Sequence, residues 1–108
     1  MKKLTVMVPC YNEEKGITKV ISKIPRAKLK ALGYEVEVLV IDNNSKDRTT
    51  EVAKKAGARV VFEGKQGKGH AIRKGVKSIT TDTDLVVMLD GDDTYDPREM
   101  LRLIEPLD

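Results

Sequence analysis

The chain has 108 residues, 20 Lys and Arg against 17 Asp and Glu, a formal net charge of +3 and 40% hydrophobic residues. That is a one-domain length, too apolar and too patterned for disorder, with no run near the roughly 20 apolar residues of a membrane helix and no signal-peptide pattern. A single cysteine, Cys10, and a single histidine, His70, exclude a disulfide framework, a cysteine-based zinc site and any two-histidine motif, and they suit a reducing, cytoplasmic setting.

Four short runs rich in Val, Leu and Ile predict strands, and each is followed by a helical stretch. Leu4–Val8 comes first. After it, Ile17, Val20, Ile21 and Ile24 form an apolar stripe and Lys15, Lys19 and Lys23 a basic one, with Pro25 bending or ending the helix. Val36–Ile41 is the second strand; Ser45 or Asp47 is the candidate N-cap of the next helix and Gly57 its stop. Arg59–Phe62 is the third strand, after which Gly67 and Gly69 open a helix with Ala71, Ile72, Val76 and Ile79 as its stripe. Leu85–Leu89 is the fourth. Beyond it, Asp96, Pro97 and Glu99 have the spacing of a capping box with proline at the first helical position. The alternation predicts an α/β fold: one parallel sheet of about four strands, with helices on both faces.

In such a sheet ligands bind outside the carboxyl ends of the strands. The loops there are Pro9–Glu14, Asp42–Asp47, Glu63–His70 and Asp90–Asp96. Charge is unevenly spread: residues 1–30 carry +6, residues 31–81 carry +4 and residues 82–108 carry −7. At the acidic end, Asp90-Gly91-Asp92-Asp93 follows an apolar strand. Three carboxylates in four residues repel unless a cation neutralises them, and hard oxygen donors with no His or Cys nearby suit Mg²⁺ or Mn²⁺. The competing reading is a polar turn whose aspartates cap backbone amides.

The other loops stay open on residues alone. Asp42 can accept from ribose or a base edge, or cap a turn together with Asn43, Asn44 and Ser45. Tyr11 and Glu13 can border a base, or Glu13 can serve the helix dipole. No glycine occurs before Gly16, which excludes the dinucleotide-binding fingerprint after the first strand. Gly64-Lys65-Gln66-Gly67-Lys68-Gly69-His70 fails as a P-loop because His70 stands where lysine is needed. It can still offer backbone N–H groups and lysine charge to phosphate. His70 reads as a surface or sheet-packed residue and Cys10 as a small apolar filler. The basic helix face reads as solvated, or as resting on an anionic membrane. Nucleic acid is argued against by 4% aromatics and the acidic end.

Four segments in order, Val8–Glu13 (VPCYNE), Val40–Thr49 (VIDNNSKDRT), Gly67–Arg73 (GKGHAIR) and Leu89–Pro97 (LDGDDTYDP), resemble the nucleotide-binding half of a family 2 glycosyltransferase of GT-A fold. The likeness is greatest to enzymes that load sugar onto polyprenyl or dolichyl phosphate. The resemblance implies a Rossmann-like sheet and a UDP- or GDP-linked sugar donor. Pro9, Tyr11 and Glu13 would border base and ribose, with Asp42 at the base or ribose edge. Lys68 would lie near the diphosphate, beside Asp90 and Gly91. Asp90 and Asp92 would form the metal pair for Mn²⁺ or Mg²⁺. Thr94 departs from lipid-phosphate mannose transferases, where glutamine can stand. Domains of this kind run to about twice this length, so the expectation is that residues 1–108 are the donor-binding part, truncated before the acceptor half with its general base. The expected consequences are weak or absent transfer by the chain alone, self-association through an uncovered face, and a parent protein at the cytoplasmic face of a membrane. Two alternatives are a non-catalytic nucleotide-binding module and a nucleotidyltransferase. The second needs a glycine-rich, basic loop after the first strand, which Pro9–Glu14 does not supply.

Overall fold

A computed structural model describes residues 1–91 and 96–104. The element order is β1 (Lys2–Cys10), α1 (Ile17–Lys23), α2 (Arg26–Ala31), β2 (Tyr34–Asp42), α3 (Thr49–Lys55), β3 (Arg59–Phe62), α4 (Lys68–Ser78) and β4 (Leu85–Met88), then a 3₁₀ turn (Pro97–Met100) running into α5 (Leu101–Ile104). The four strands form one sheet in the order β3-β2-β1-β4, and all three neighbouring pairs are parallel. β1 and β2 run longer than the apolar pattern suggested, because paired backbone carries Lys2, Lys3 and Glu35 into the ladder whatever their polarity.

Alternation along β1 divides the core. Leu4, Val6, Val8 and Cys10 face α1, α2, α3 and the C-terminal turn, packing with Ile17, Val20, Leu29, Ala53, Met100 and Ile104. Met7, with Leu39 and Ile41 of β2, faces α4 through Ala71. The expected stripe of α4 needs correction at Val76, which is 58% exposed. Gly75 takes the sheet-facing position instead. A Cβ there would stand 2.7 Å from Met7 Sδ and 2.9 Å from Ile41 Cδ1, so the helix lies too close to the sheet for a larger side chain.

Helix ends differ in detail from the sequence reading. Pro25 separates two helices, α1 and α2, at an extended Ile24. α3 begins at Thr49, and Arg48 occupies its cap position; Asp47 serves it from one residue earlier by accepting the Thr49 N–H at 2.9 Å. Ser45 Oγ instead accepts the Asn12 N–H at 2.9 Å. Gly57 ends α3 at φ +96°, a conformation that favours glycine. Asp96 caps the 3₁₀ turn through the Arg98 N–H, with Pro97 first as expected. The Glu99 carboxylate, however, pairs with Arg102 at 3.1 Å rather than serving a capping box.

The connections β1→β2→β3 build outward in one direction, and the crossover through α4 returns the chain to the opposite side of β1. The strand order therefore reverses between β1 and β4. At such a reversal the two loops diverge to opposite faces and leave a crevice between them.

Candidate functional site

A cleft of about 320 Å³ opens at that crevice. It is lined by Pro9, Cys10, Tyr11 and Glu13 after β1, Asn43 after β2, Gln66, Gly67, Lys68 and Ala71 at the start of α4, and Asp90 and Gly91 after β4. The structure thus brings six of the sequence-predicted residues, Pro9, Tyr11, Glu13, Lys68, Asp90 and Gly91, onto one wall-and-floor arrangement. Asp92 lies outside the described residues.

Asp42 is not on that wall. It is 5% exposed, with one carboxylate oxygen accepting the Ser45 N–H at 2.8 Å and the other bonded to the Thr50 hydroxyl. A buried carboxylate needs such partners. Here they fold the loop after β2 back over its strand.

That loop is also tied to the one after β1. Asn12, at φ +53°, accepts the Lys46 N–H through its side-chain oxygen at 2.8 Å, and Thr49 Oγ1 accepts the Glu13 N–H at 2.9 Å. Asp47 Oδ2 accepts the Glu14 N–H at 3.2 Å. Burial pushes the Asp47 pKa up, but hydrogen bonds from the Thr49 side chain and backbone and from Glu14 hold it below the usual carboxylate range.

Asn43 was read from sequence only as a turn former. It is 6% exposed and lines the cleft. Its amide nitrogen donates to the carbonyls of Glu63 (3.1 Å) and Lys65 (2.8 Å), its amide oxygen accepts the Gly67 N–H at 3.0 Å, and its backbone N–H donates to Cys10 O at 2.8 Å. Gln66 and Ala71 also line the cleft; they lie in the Glu63–His70 loop and the Gly67–Arg73 segment read from sequence, but were not singled out there. Nothing local distinguishes them; the turn at Gly67, φ +134°, brings them to the cleft.

Lys68 and Asp90 meet across the cleft, Nζ to Oδ1 at 3.0 Å, with side chains 61% and 49% exposed. So exposed a pair contributes at most about 1 kcal/mol to stability. Its importance is placement: a cation and an anion stand together at the crevice, free to exchange partners. Cys10 forms the floor and is chemically quiet. Burial first, and then the carboxylates of Glu13, Asp42 and Asp47, push its thiol pKa far up. Gly91 sits directly on it, since a Cβ at Gly91 would lie 2.5 Å from Cys10 Sγ.

The donor chemistry suits a hard divalent ion, with carboxylate oxygen from Asp90, Glu13 on the wall, and the one thiol held protonated. Among the described residues no three His, Cys, Asp or Glu side chains converge as a complete metal cage.

A parallel α/β unit with a polar crevice at its reversal point, a glycine-opened helix on one side and an aspartate at a strand mouth on the other, has the GT-A architecture. The family model for glycosyl transferase family 2 matches residues 5–108, and the chain belongs to that family. It is 40% identical over 108 residues to Protein RfbJ of Shigella flexneri, covering 96% of this chain and 75% of that one. To the dolichyl-phosphate hexose transferase of Haloferax volcanii it is 41% identical over 98 residues, 91% of this chain and 40% of the relative. Among solved structures, glucosyl-3-phosphoglycerate synthase of M. tuberculosis superposes with a TM-score of 0.78 at 30% identity, over 98% of this chain and 40% of that one. The same synthase in complex with Mn²⁺, UDP and phosphoglyceric acid gives a TM-score of 0.75 at 30% identity, over 98% and 39%. The chain thus spans less than half the length of the Haloferax relative and of these structures.

Proposed function

We propose that residues 1–108 form the donor-binding part of a metal-dependent glycosyltransferase, holding a UDP- or GDP-linked sugar in the β1/β4 crevice. The observation that carries this reading is the convergence of the loops after β1, β2 and β4 with the start of α4 on one cleft. Tyr11 and Glu13 flank base and ribose at the β1 end, above the loop that Asp42 braces. Direct contact between Asp42 and a base would require release of Ser45 or Thr50. Lys68 faces the diphosphate, turning from Asp90 to phosphate as the ligand enters. Asp90, with Asp92, holds Mn²⁺ or Mg²⁺. When bound, that ion supplies positive charge against the charge that builds on the nucleoside diphosphate leaving group.

A polyprenyl or dolichyl phosphate is the proposed acceptor, supported by the likeness to the dolichyl-phosphate hexose transferase. Its site, and a general base where an acceptor hydroxyl needs one, belong to a part beyond these residues in a longer protein. The parent acts at the cytoplasmic face of a membrane, although among the described residues no helix is long and apolar enough to cross one. Self-association is the last element of the proposal. β4 is an edge strand, and Val86 and Met88 are 41% and 46% exposed on the face where α4 covers β2, β1 and β3.

The test is calorimetric titration of UDP and GDP with and without Mn²⁺, on the wild type and Asp92→Ala. Metal-dependent binding that is lost in the variant is expected. Absence of metal-dependent binding to either nucleotide overturns the reading and favours a non-catalytic module.

A further inference from the structure

The geometry points to the outer side of α1 and α2 as a surface that docks on an anionic lipid bilayer. It gives the membrane setting proposed above a specific contact face, built from residues that line no part of the donor cleft.

Charge along this stretch is one-sided. From Lys15 to Tyr34 the chain carries Lys15, Lys19, Lys23, Arg26, Lys28 and Lys30 and no acidic side chain. Lys23 is set apart, because its charge acts on Asp96. The other five are exposed and, among the described residues, none of them enters an ion pair. By contrast Lys3, Arg48, Arg59, Lys68, Arg98 and Arg102 each meet a carboxylate. Clustered cations without internal partners are the charge pattern that an anionic leaflet attracts.

Burial sets which way they face. Ile17, Val20 and Ile21 of α1 and Leu29 of α2 are buried in the layer over one face of the sheet. On α1 this leaves Thr18, Lys19 and Ser22 outward, with Lys15 just before the helix. In α2, at about 100° per residue, Ala27 and Ala31 stand opposite Leu29, with Lys28 and Lys30 to either side. A strip of alanine between lysines lets the backbone come close to headgroups while the long side chains extend to lipid phosphates. Met1, 74% exposed, shares a shallow depression with Arg26 and Lys30, in which Glu35 is the one carboxylate. Other anions find less here. Tyr34, the only aromatic of the stretch, is buried and cannot stack a base, and the alanines supply no anchor of the kind that holds a protein partner.

Both helices cover the same sheet face, so a bilayer against them lies roughly parallel to the sheet. The cleft at the strand ends then opens along the membrane rather than away from it. The opposite face carries Arg73, Lys74 and Lys77 on the single helix α4, beside the exposed Val76, and supplies the comparison.

The test is co-sedimentation of the chain with vesicles of phosphatidylcholine, alone or mixed equally with phosphatidylglycerol, at about 0.1 M and about 0.5 M salt. Binding is expected only to the mixed vesicles and is expected to weaken at the higher salt. A Lys or Arg near an anionic leaflet contributes about fivefold to partitioning, so Lys28→Glu with Lys30→Glu should lower it by about 25-fold or more. Lys74→Glu with Lys77→Glu, the same change in net charge, should lower it by less than about threefold. Equal losses in the two pairs, binding to neutral vesicles as strong as to anionic ones, or no binding to either, overturn the inference. So does a single-stranded oligonucleotide that binds as tightly as the mixed vesicles, with the same loss in the Lys28 and Lys30 variant. UDP titrated with Mn²⁺ on the wild type and that variant is expected to bind both equally. A wild type that binds vesicles but neither UDP nor GDP overturns the donor-binding reading and leaves the docking surface standing. Should the variants fail to fold, lysine acetylation of the wild type decides. Mixed vesicles are expected to protect Lys19, Lys28 and Lys30 and not Lys74 and Lys77, and uniform protection overturns the assignment.

Discussion

Replacing Gly91 by alanine tests how tightly the β4 end of the site is seated on β1. The added Cβ would stand 2.5 Å from Cys10 Sγ and 3.4 Å from the Pro9 carbonyl oxygen, against an ordinary contact of about 3.5–4 Å. About 1 Å must be found. Cys10 is 3% exposed and its sulfur already lies 3.5 Å from Val8 O, so a one-atom side chain has little room to swing aside. Overpacking of this kind costs about 1–3 kcal/mol, a large part of the about 5–15 kcal/mol that typically holds a domain together. Each kcal/mol corresponds to a melting shift of roughly 4 °C at this size. Cys10→Ala removes the obstructing sulfur at a cost of its own, about 1 kcal/mol. In that background Gly91→Ala is expected to cost less than about 0.5 kcal/mol, a coupling of at least about 0.5 kcal/mol. Urea denaturation of the four proteins, compared at constant slope, measures it. A Gly91→Ala variant as stable as wild type, or one equally costly in both backgrounds, refutes the reasoning.

Two further outcomes are expected. The Asp96 carboxylate is held down to about 2 by the Arg98 guanidinium, and then by the Arg98 backbone N–H. A depressed carboxylate contributes stability that is full above its ordinary range and lost as pH falls through the folded value. The urea-midpoint advantage of wild type over Asp96→Asn should therefore shrink between about pH 4 and about 2, and a gap that holds constant or widens there contradicts the assignment. Val86→Lys with Met88→Lys places charge on the open edge and should return a self-associating wild type to monomer in sedimentation velocity. A wild type that stays monomeric at high concentration removes the proposed association.

The strands were legible because Val, Leu and Ile runs leave little else to read, both in the largely buried β1 and β2 and in the part-exposed β3 and β4, and Gly57 and Asp96-Pro97 marked helix ends through local backbone chemistry. Six cleft residues followed from one topological rule about strand ends. What was not legible depends on distance along the chain. Asn43 bonds to residues about 20 positions away, so nothing in its own neighbourhood separated it from a turn asparagine. Asp42 was left between a ligand contact and a turn cap; the structure has it cap the turn through the Ser45 N–H, with its other oxygen bonded to Thr50, eight residues on. Gly75 was passed over in favour of Val76 because a hydrophobic stripe does not show how closely a helix approaches its sheet. Asp47 acts at the start of α3 and also accepts from Glu14 in the loop after β1, whereas the Ser45 side chain serves only that loop.

The order β3-β2-β1-β4 also sets the sequence in which the site can be assembled. β1 pairs with β2 at a separation of 32 residues (Lys2 with Tyr34), spanned by α1 and α2, whereas its pairing with β4 joins Leu4 to Leu85, 81 residues apart. Closing so long a loop is entropically the costliest step and among the slowest. β4 follows the other three strands in the chain, so Asp90 and Lys68 can meet only after that closure. A change that weakens the docking of β4 would therefore separate Asp90 and Gly91 from the rest of the cleft while β3, β2 and β1 stay paired.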